Sequence, residues 1–235
     1  PGRISVYEDA DDDFLSMNSI IKKNIPKTYK WDGSKFVLYG IRSGKSFASI
    51  GADKIPKIDG ELDDWRFYKS TDECTYIMLG DEKQEVIFHP ENWRGISDLG
   101  AKFDTQLYEK EMFYIAVRIT DDALVQEWQK ASLWKGDHVE LWFDVDLEGD
   151  FNVAKANSDD FQIGISPGNF KDIKPSIYCW LPKEKEGDIK GAKVSTKRTN
   201  DGYILEAAIP FQFLGIKLQH YTPEDYTTVG FTLLV

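Results

Sequence analysis

Short runs of alternating apolar and polar residues recur along the chain, separated by Gly, Asp, Asn and Pro. In MFYIAVRIT (112–120), Phe113, Ile115, Val117 and Ile119 share one face. In HVELWFDV (138–145), Val139, Leu141, Phe143 and Val145 share one face, and Glu140, Trp142 and Asp144 the other. A period of two is that of a half-buried strand. DFQIGIS (160–166), SIYCWLP (176–182), DGYILEAAIPF (201–211) and VGFTLLV (229–235) extend the series. Helical periodicity is confined to short pieces, at DFLSMNSIIKKN (13–24) and PFQFLGI (210–216). Many short strands with turn residues between them predict an all-β fold, an antiparallel, jelly-roll-like β-sandwich.

IRSGKSFASIGADK (41–54) is rich in Gly, Ser and small residues and reads as a linker. The predicted organisation is therefore a small N-terminal appendage over residues 1–53 and a sandwich over 54–235. In the appendage, Asp32-Gly33 between apolar flanks predicts a β-hairpin. A lone hairpin is not stable by itself, so this piece either docks on the sandwich or is the tail of an upstream domain.

The 235 residues are 41% hydrophobic, enough for a packed core, and 14% aromatic, with 7 Trp, 11 Tyr and 14 Phe. That aromatic content supplies rings for a binding surface as well as for the core. The net charge of −11 argues against nucleic acid and anionic membrane as partners, because phosphate contacts need Lys and Arg. No apolar run reaches transmembrane length. Cys74 and Cys179 make at most one disulfide, and pairing and free thiols are equally compatible with the sequence. His89, His138 and His220 have no zinc-ligand spacing.

LWKGDHVELWFD (133–144) concentrates chemistry: Trp134 before a Gly turn, then Asp137, Glu140 and Trp142. Trp134 is either an exposed platform or a cap on the sandwich edge. Trp142 either extends that platform or lies beneath a covering loop. Glu140 is either a ligand acceptor or part of a structural ion pair or calcium site. Asp137 and Glu140 also raise the question of a glycosidase pair, but such carboxylates flank the scissile bond from two sides, and two acids at one strand start disfavour that geometry. DVDLEGD (144–150) places oxygen ligands at Asp144, Asp146, Glu148 and Asp150 around a Gly turn, as in half of a calcium loop. EDADDDF (8–14) has the same character; each segment is either a Ca²⁺ site or, as is commoner, a solvated acidic loop, and NSDD (157–160) stands ready to contribute to the first.

Several stretches in sequence order resemble the family 9 carbohydrate-binding modules: PKIDGELDDW (56–65), NWRGISDL running into a strand that ends Thr-Asp-Asp (92–122), LWKGDHVELWFDVD (133–146), GYILEAAIPFQFLG (202–215) and VGFTLLV. The resemblance covers residues 54–235. It implies a β-sandwich that binds an oligo- or polysaccharide without catalysis, commonly with structural Ca²⁺. It also implies a secreted, periplasmic or cell-surface setting, attached to the upstream domains of a glycan-degrading enzyme. By this resemblance Trp134 is one wall of an aromatic clamp and Glu140 accepts hydrogen bonds from sugar hydroxyls. Asp137, Trp142 and Gln162 complete the expected sugar-binding set. Where the family offers Arg and Asn, this chain has Gly164 and Ser166. The family's second clamp tryptophan falls after the closing strand; Trp180 and Trp128 are the candidates within the chain to replace it. The alternative is a protein-interaction sandwich that has lost the sugar site.

Overall fold

The computed structural model describes residues 54–65, 86, 89–108, 111–146, 155–216 and 229–235, with the strands at 3–6, 27–31, 36–41, 50–51 and 77–79. The chain divides into two compact units, residues 1–49 with 72–75, and residues 50–71 with 76–235. The first holds a three-stranded antiparallel sheet of β1 (Arg3–Val6), β2 (Lys27–Trp31) and β3 (Phe36–Ile41), in that order. Trp31 pairs with Phe36 between β2 and β3. The segments 8–14 and 13–24, Cys74, His220 and the Asp32-Gly33 turn itself lie outside the described residues.

The second unit is built on two sheets. One runs β12 (Lys193–Thr199), β13 (Gly202–Pro210), β7 (Met112–Asp121), β6 (Leu99–Tyr108) and β4 (Ile50–Gly51), with β5 (Ile77–Leu79) also paired to β6. The other runs β11 (Gly187–Asp188), β10 (Ser176–Leu181), β9 (Asp160–Ser166), β8 (Val139–Asp144) and β14 (Gly230–Leu234). All pairings are antiparallel except β4 with β6.

The alternation read from the sequence decides which face goes inside. On β8, Val139, Leu141 and Phe143 are buried, while Glu140, Trp142 and Asp144 are half-buried on the opposite face. On β7, Phe113, Ile115, Val117 and Ile119 are buried. The two inner faces meet: the Phe113 and Phe143 rings lie edge to face at 5.3 Å, and Phe231 packs on Phe143 at 5.2 Å. The chain is thus the all-β sandwich its patterning predicts. The helical piece at 210–216 reduces to one turn, Phe211–Leu214, closed by Gly215 at φ 71°.

Strand β12 was not legible. Its sequence, KVSTKRT, has no apolar alternation, because it is an edge strand that among the described residues pairs only with β13 and leaves its residues half-buried or exposed.

A second, smaller core lies on the outer face of the β13–β7–β6 sheet. Ile204, Ala208, Tyr114 and Ala116 are covered there by Leu62 and the fully buried Trp65. The covering strap is PKIDGELDDW. At its centre the carboxylate of Glu206, itself fully buried on β13, accepts the Trp65 indole N–H at 2.5 Å and the Asp59 amide at 2.9 Å, and also the Gly60 amide. Gly60 adopts φ +91°, and a Cβ there would stand 3.1 Å from Lys197 Cβ, so the turn requires glycine. Burial pushes the Glu206 carboxyl up to about 7, against the pull of its three donors.

Candidate functional site

The outer face of the five-stranded sheet carries the polar cluster that the alternation of β8 turns away from the core. Cross-strand register sets Trp142 opposite Gln162 and Glu140 opposite Gly164. Glu140 is the hub. Its Oε1 accepts the Trp142 indole N–H at 2.5 Å and the Gln162 amide at 3.0 Å. His138 Nε2 stands 3.4 Å from Oε2. The other imidazole nitrogen, Nδ1, lies 2.8 Å from the Gly136 carbonyl, which only accepts, so Nδ1 carries a proton. Burial works to raise the Glu140 carboxyl, but the contacts with His138, Gln162 and Trp142 outweigh it and hold the group below the ordinary carboxylate range. The result is a fixed, ionised acceptor, and a carboxylate has about four lone-pair directions, more than these neighbours use.

Trp134 stands on the 3₁₀ turn Lys130–Lys135 that precedes β8. Leu133 points inward and is fully buried, while Trp134 is 57% exposed, with Lys135 Nζ 5.8 Å from its ring. The turn sits on the same outer face as Glu140: Leu133 reaches Gly164, and the Ala131 carbonyl accepts the Trp180 indole N–H at 3.0 Å. Trp134 is therefore an exposed indole rather than a cap on the sandwich edge. Trp180, by contrast, is buried at 9% exposure and has its N–H engaged, so it offers little face to a ligand. Trp128 is half-buried.

Asp137 belongs to a different job. Its carboxylate accepts the Val125 amide, and its own amide donates to the Val125 carbonyl at 2.8 Å. Burial, with the charge of Asp121 adding to it, pushes the Asp137 carboxyl up to about 6 against the Val125 hydrogen bond. Beside it the buried amide of Gln126 donates to the carbonyls of Leu133 (3.1 Å) and Asp137 (2.7 Å), and its oxygen accepts the Trp128 amide at 2.9 Å. Gly136 is tight here: a Cβ would fall 2.5 Å from the Val125 carbonyl oxygen. Together these contacts clip the loop after β7 to the start of β8.

The remaining motif residues are staples. Arg94 joins Asp98 and Asp122, each at 2.6 Å, and the Trp93 indole donates to the Leu99 carbonyl at 2.9 Å. The Trp-Arg-Gly loop is thereby tied to the Thr-Asp-Asp end of β7. The Asp98 carboxyl is held low by its hydrogen bond to Arg94. Ser166 is fully buried and its hydroxyl accepts the Gly168 amide at 3.1 Å.

Asp144 and Asp146 stand at the end of β8, where Asp159 Oδ2 accepts the Asp146 amide at 3.1 Å and Asp160 Oδ2 accepts the Asn157 amide at 2.9 Å. Among the described residues no three carboxylate, imidazole or thiol side chains converge to hold a metal ion. Glu148 and Asp150 lie outside the described residues. Among the described residues no helix is long and apolar enough to cross a membrane.

In the sequence His138 stands out only as a zinc-ligand candidate without ligand spacing, and Gln126 not at all. The signal for His138 was present: continuing the β8 alternation two residues back from Glu140 puts it on the same face. Gln126 had none, because its role depends on carbonyls 7 and 11 residues away that only the folded loop brings to it.

A family 9 carbohydrate-binding module from Caldicellulosiruptor kristjanssonii in complex with cellotriose is similar over 79% of this chain and 74% of that one, with 19% identity and a TM-score of 0.49. A module of the same family and organism in complex with glucose is similar over 78% and 75%, with 20% identity and a TM-score of 0.48. A comparison with curated proteins found no match. Residues 58–235 match the family described as carbohydrate family 9 binding domain-like. Across that span, from the Asp59-Gly60 strap to the closing strand β14, the chain belongs to the carbohydrate family 9 binding domain-like family.

Proposed function

We propose that this chain binds a saccharide without catalysis, on the outer face of the β8–β9 sheet beside the 130–135 turn. Family membership supports the class of ligand. The observation that carries the site is the pairing of an exposed indole, Trp134, with an ionised acceptor, Glu140, fixed by Trp142, Gln162 and His138. A pyranose ring presents an apolar C–H face and a rim of hydroxyls. An indole stacks on the first, and a pre-oriented carboxylate accepts from the second without first having to be ordered. Gln162 and Trp142 act through Glu140 and leave its remaining lone pairs to the ligand. Asp137 has its carboxylate on Val125, which supports a place in the loop clip rather than in sugar contact or a hydrolytic pair.

The test is titration with glucose, xylose and cello-oligosaccharides, read by intrinsic tryptophan emission. Saturable change is expected in the wild type. Glu140→Gln keeps the shape but removes the charge, and should weaken the affinity at least about tenfold, as expected for a hydrogen bond to a charged group. Unchanged affinity in that variant contradicts the role given to Glu140.

A further inference from the structure

We propose that Trp180 is a positioning residue for the sugar platform: it anchors the 130–135 turn and so decides where Trp134 stands, and Gly164 is glycine to make room for it. The proposal rests on the reading of Trp134 as the stacking surface.

The turn has little to hold it by itself. It is a six-residue 3₁₀ segment whose N-cap, Gln129, makes no side-chain capping hydrogen bond. It opens with Lys130 at φ 54°, a left-handed conformation that a β-carbon disfavours. The backbone bonds Ser132 to Gln129 and Gly136 to Leu133, both 3.2 Å, are the long ones of 3₁₀ geometry. Such a segment keeps its place through tertiary contacts.

Trp180 supplies them at the first half of the turn. Its indole N–H donates to the Ala131 carbonyl at 3.0 Å. Its ring lies over Gly164, where an added Cβ would come 2.2 Å from Cη2 and 2.6 Å from Cζ3. Leu133 Cδ1 lies 2.7 Å from that same point, so Leu133 and Trp180 fill the space above Gly164 together. At the far end of the turn Gln126 and Asp137 make the second anchor. Between the anchors Trp134 projects into solvent. Gly164 is also the cross-strand partner of Glu140. One glycine therefore seats the ring that sets the platform and neighbours the acceptor. The polar side chain expected at position 164 is replaced by a seat for an indole.

Two variants test this. Trp180→Phe keeps a ring over Gly164 and deletes the N–H. Gly164→Ala keeps the N–H and displaces the ring. Amide hydrogen exchange of Ser132 and Gly136 is measured on the full chain without ligand, and saccharide affinity is measured by the titration above. The expected result is exchange in the turn about fivefold faster in Trp180→Phe, the scale of one lost hydrogen bond, together with a several-fold weaker affinity although Trp134 is intact. The Gly164→Ala defect should be partly relieved when combined with Trp180→Phe, since the smaller ring clears the methyl group. Exchange and affinity both equal to wild type overturn the proposal. A lower melting temperature with unchanged affinity also overturns it, because that is packing alone. If the wild type binds no saccharide, the functional reading fails, and the exchange rates alone decide whether Trp180 anchors the turn.

Discussion

Glu140 and Glu206 each accept an indole N–H at 2.5 Å, one from Trp142 and the other from Trp65, yet their surroundings push them in opposite directions. Glu140 keeps a part-open edge, and its three side-chain neighbours hold it ionised. Glu206 is sealed beneath the strap, and burial lifts it to about 7. The first suits a ligand acceptor and the second a structural tie. Because the folded value of Glu206 lies above the ordinary value of 4.5, the native state takes up a proton between those limits. Its contribution to stability is therefore full below about pH 4.5 and is lost as pH rises through about 7. Glu206→Gln should flatten this part of the stability profile, measured as the change in urea midpoint between pH 5 and pH 8. A profile as steep as wild type would show that another group is responsible. Glu206→Ala should cost about 3 kcal/mol, since three donors, two of them buried, lose their acceptor. The sequence marked Glu140 by its place beside two tryptophans. It gave no hint of Glu206, which looks like an ordinary strand glutamate until the strap, roughly 145 residues earlier, is laid over it.

Elements were readable in proportion to how much apolar surface they bury. Strand β8 has one dry face, and β7 alternates on its inner face although the strap also buries Tyr114 and Ala116 on the other; both announce themselves. Strand β12, half-wet on both sides at an edge, does not. The loop between β7 and β8 has no periodicity, and part of its order comes from a buried side chain, Gln126, that satisfies two carbonyls and one amide. Gln126→Leu preserves bulk and leaves those groups without partners. It should lower stability by about 2 kcal/mol and admit proteolysis within residues 123–135. Limited digestion followed by mass analysis reads the outcome, and a loop as resistant as wild type would contradict the clip. By the same logic Trp134→Ala, at an exposed position, should change stability by less than about 0.5 kcal/mol while removing the platform.

At the scale of the whole molecule, the net charge of −11 sits behind a site whose own hub is an anion. A neutral saccharide is compatible with that field, and its binding involves no ion pair. Affinity should therefore hold within about twofold between 50 and 500 mM salt, across which surface ion pairs are strongly screened. A steep salt dependence in the titration would point instead to a charged ligand. The sandwich was legible because its inner faces alternate and its turns are punctuated. The geometry of the site was only half legible, because alternation sets the face of Glu140, whereas Trp134 is brought to that face by contacts from Trp180, Gly164 and Gln126 that have no local pattern. The measurement that tests the central claim most directly is titration calorimetry of the intact chain and of Trp134→Ala, side by side, against glucose and cello-oligosaccharides. The account predicts saturable heat for the wild type, with a Kd in the micromolar to millimolar range and so a binding free energy on the order of −4 to −8 kcal/mol, and none for the folded variant. Equal heats from both proteins, or no heat from the wild type across the panel, would contradict it.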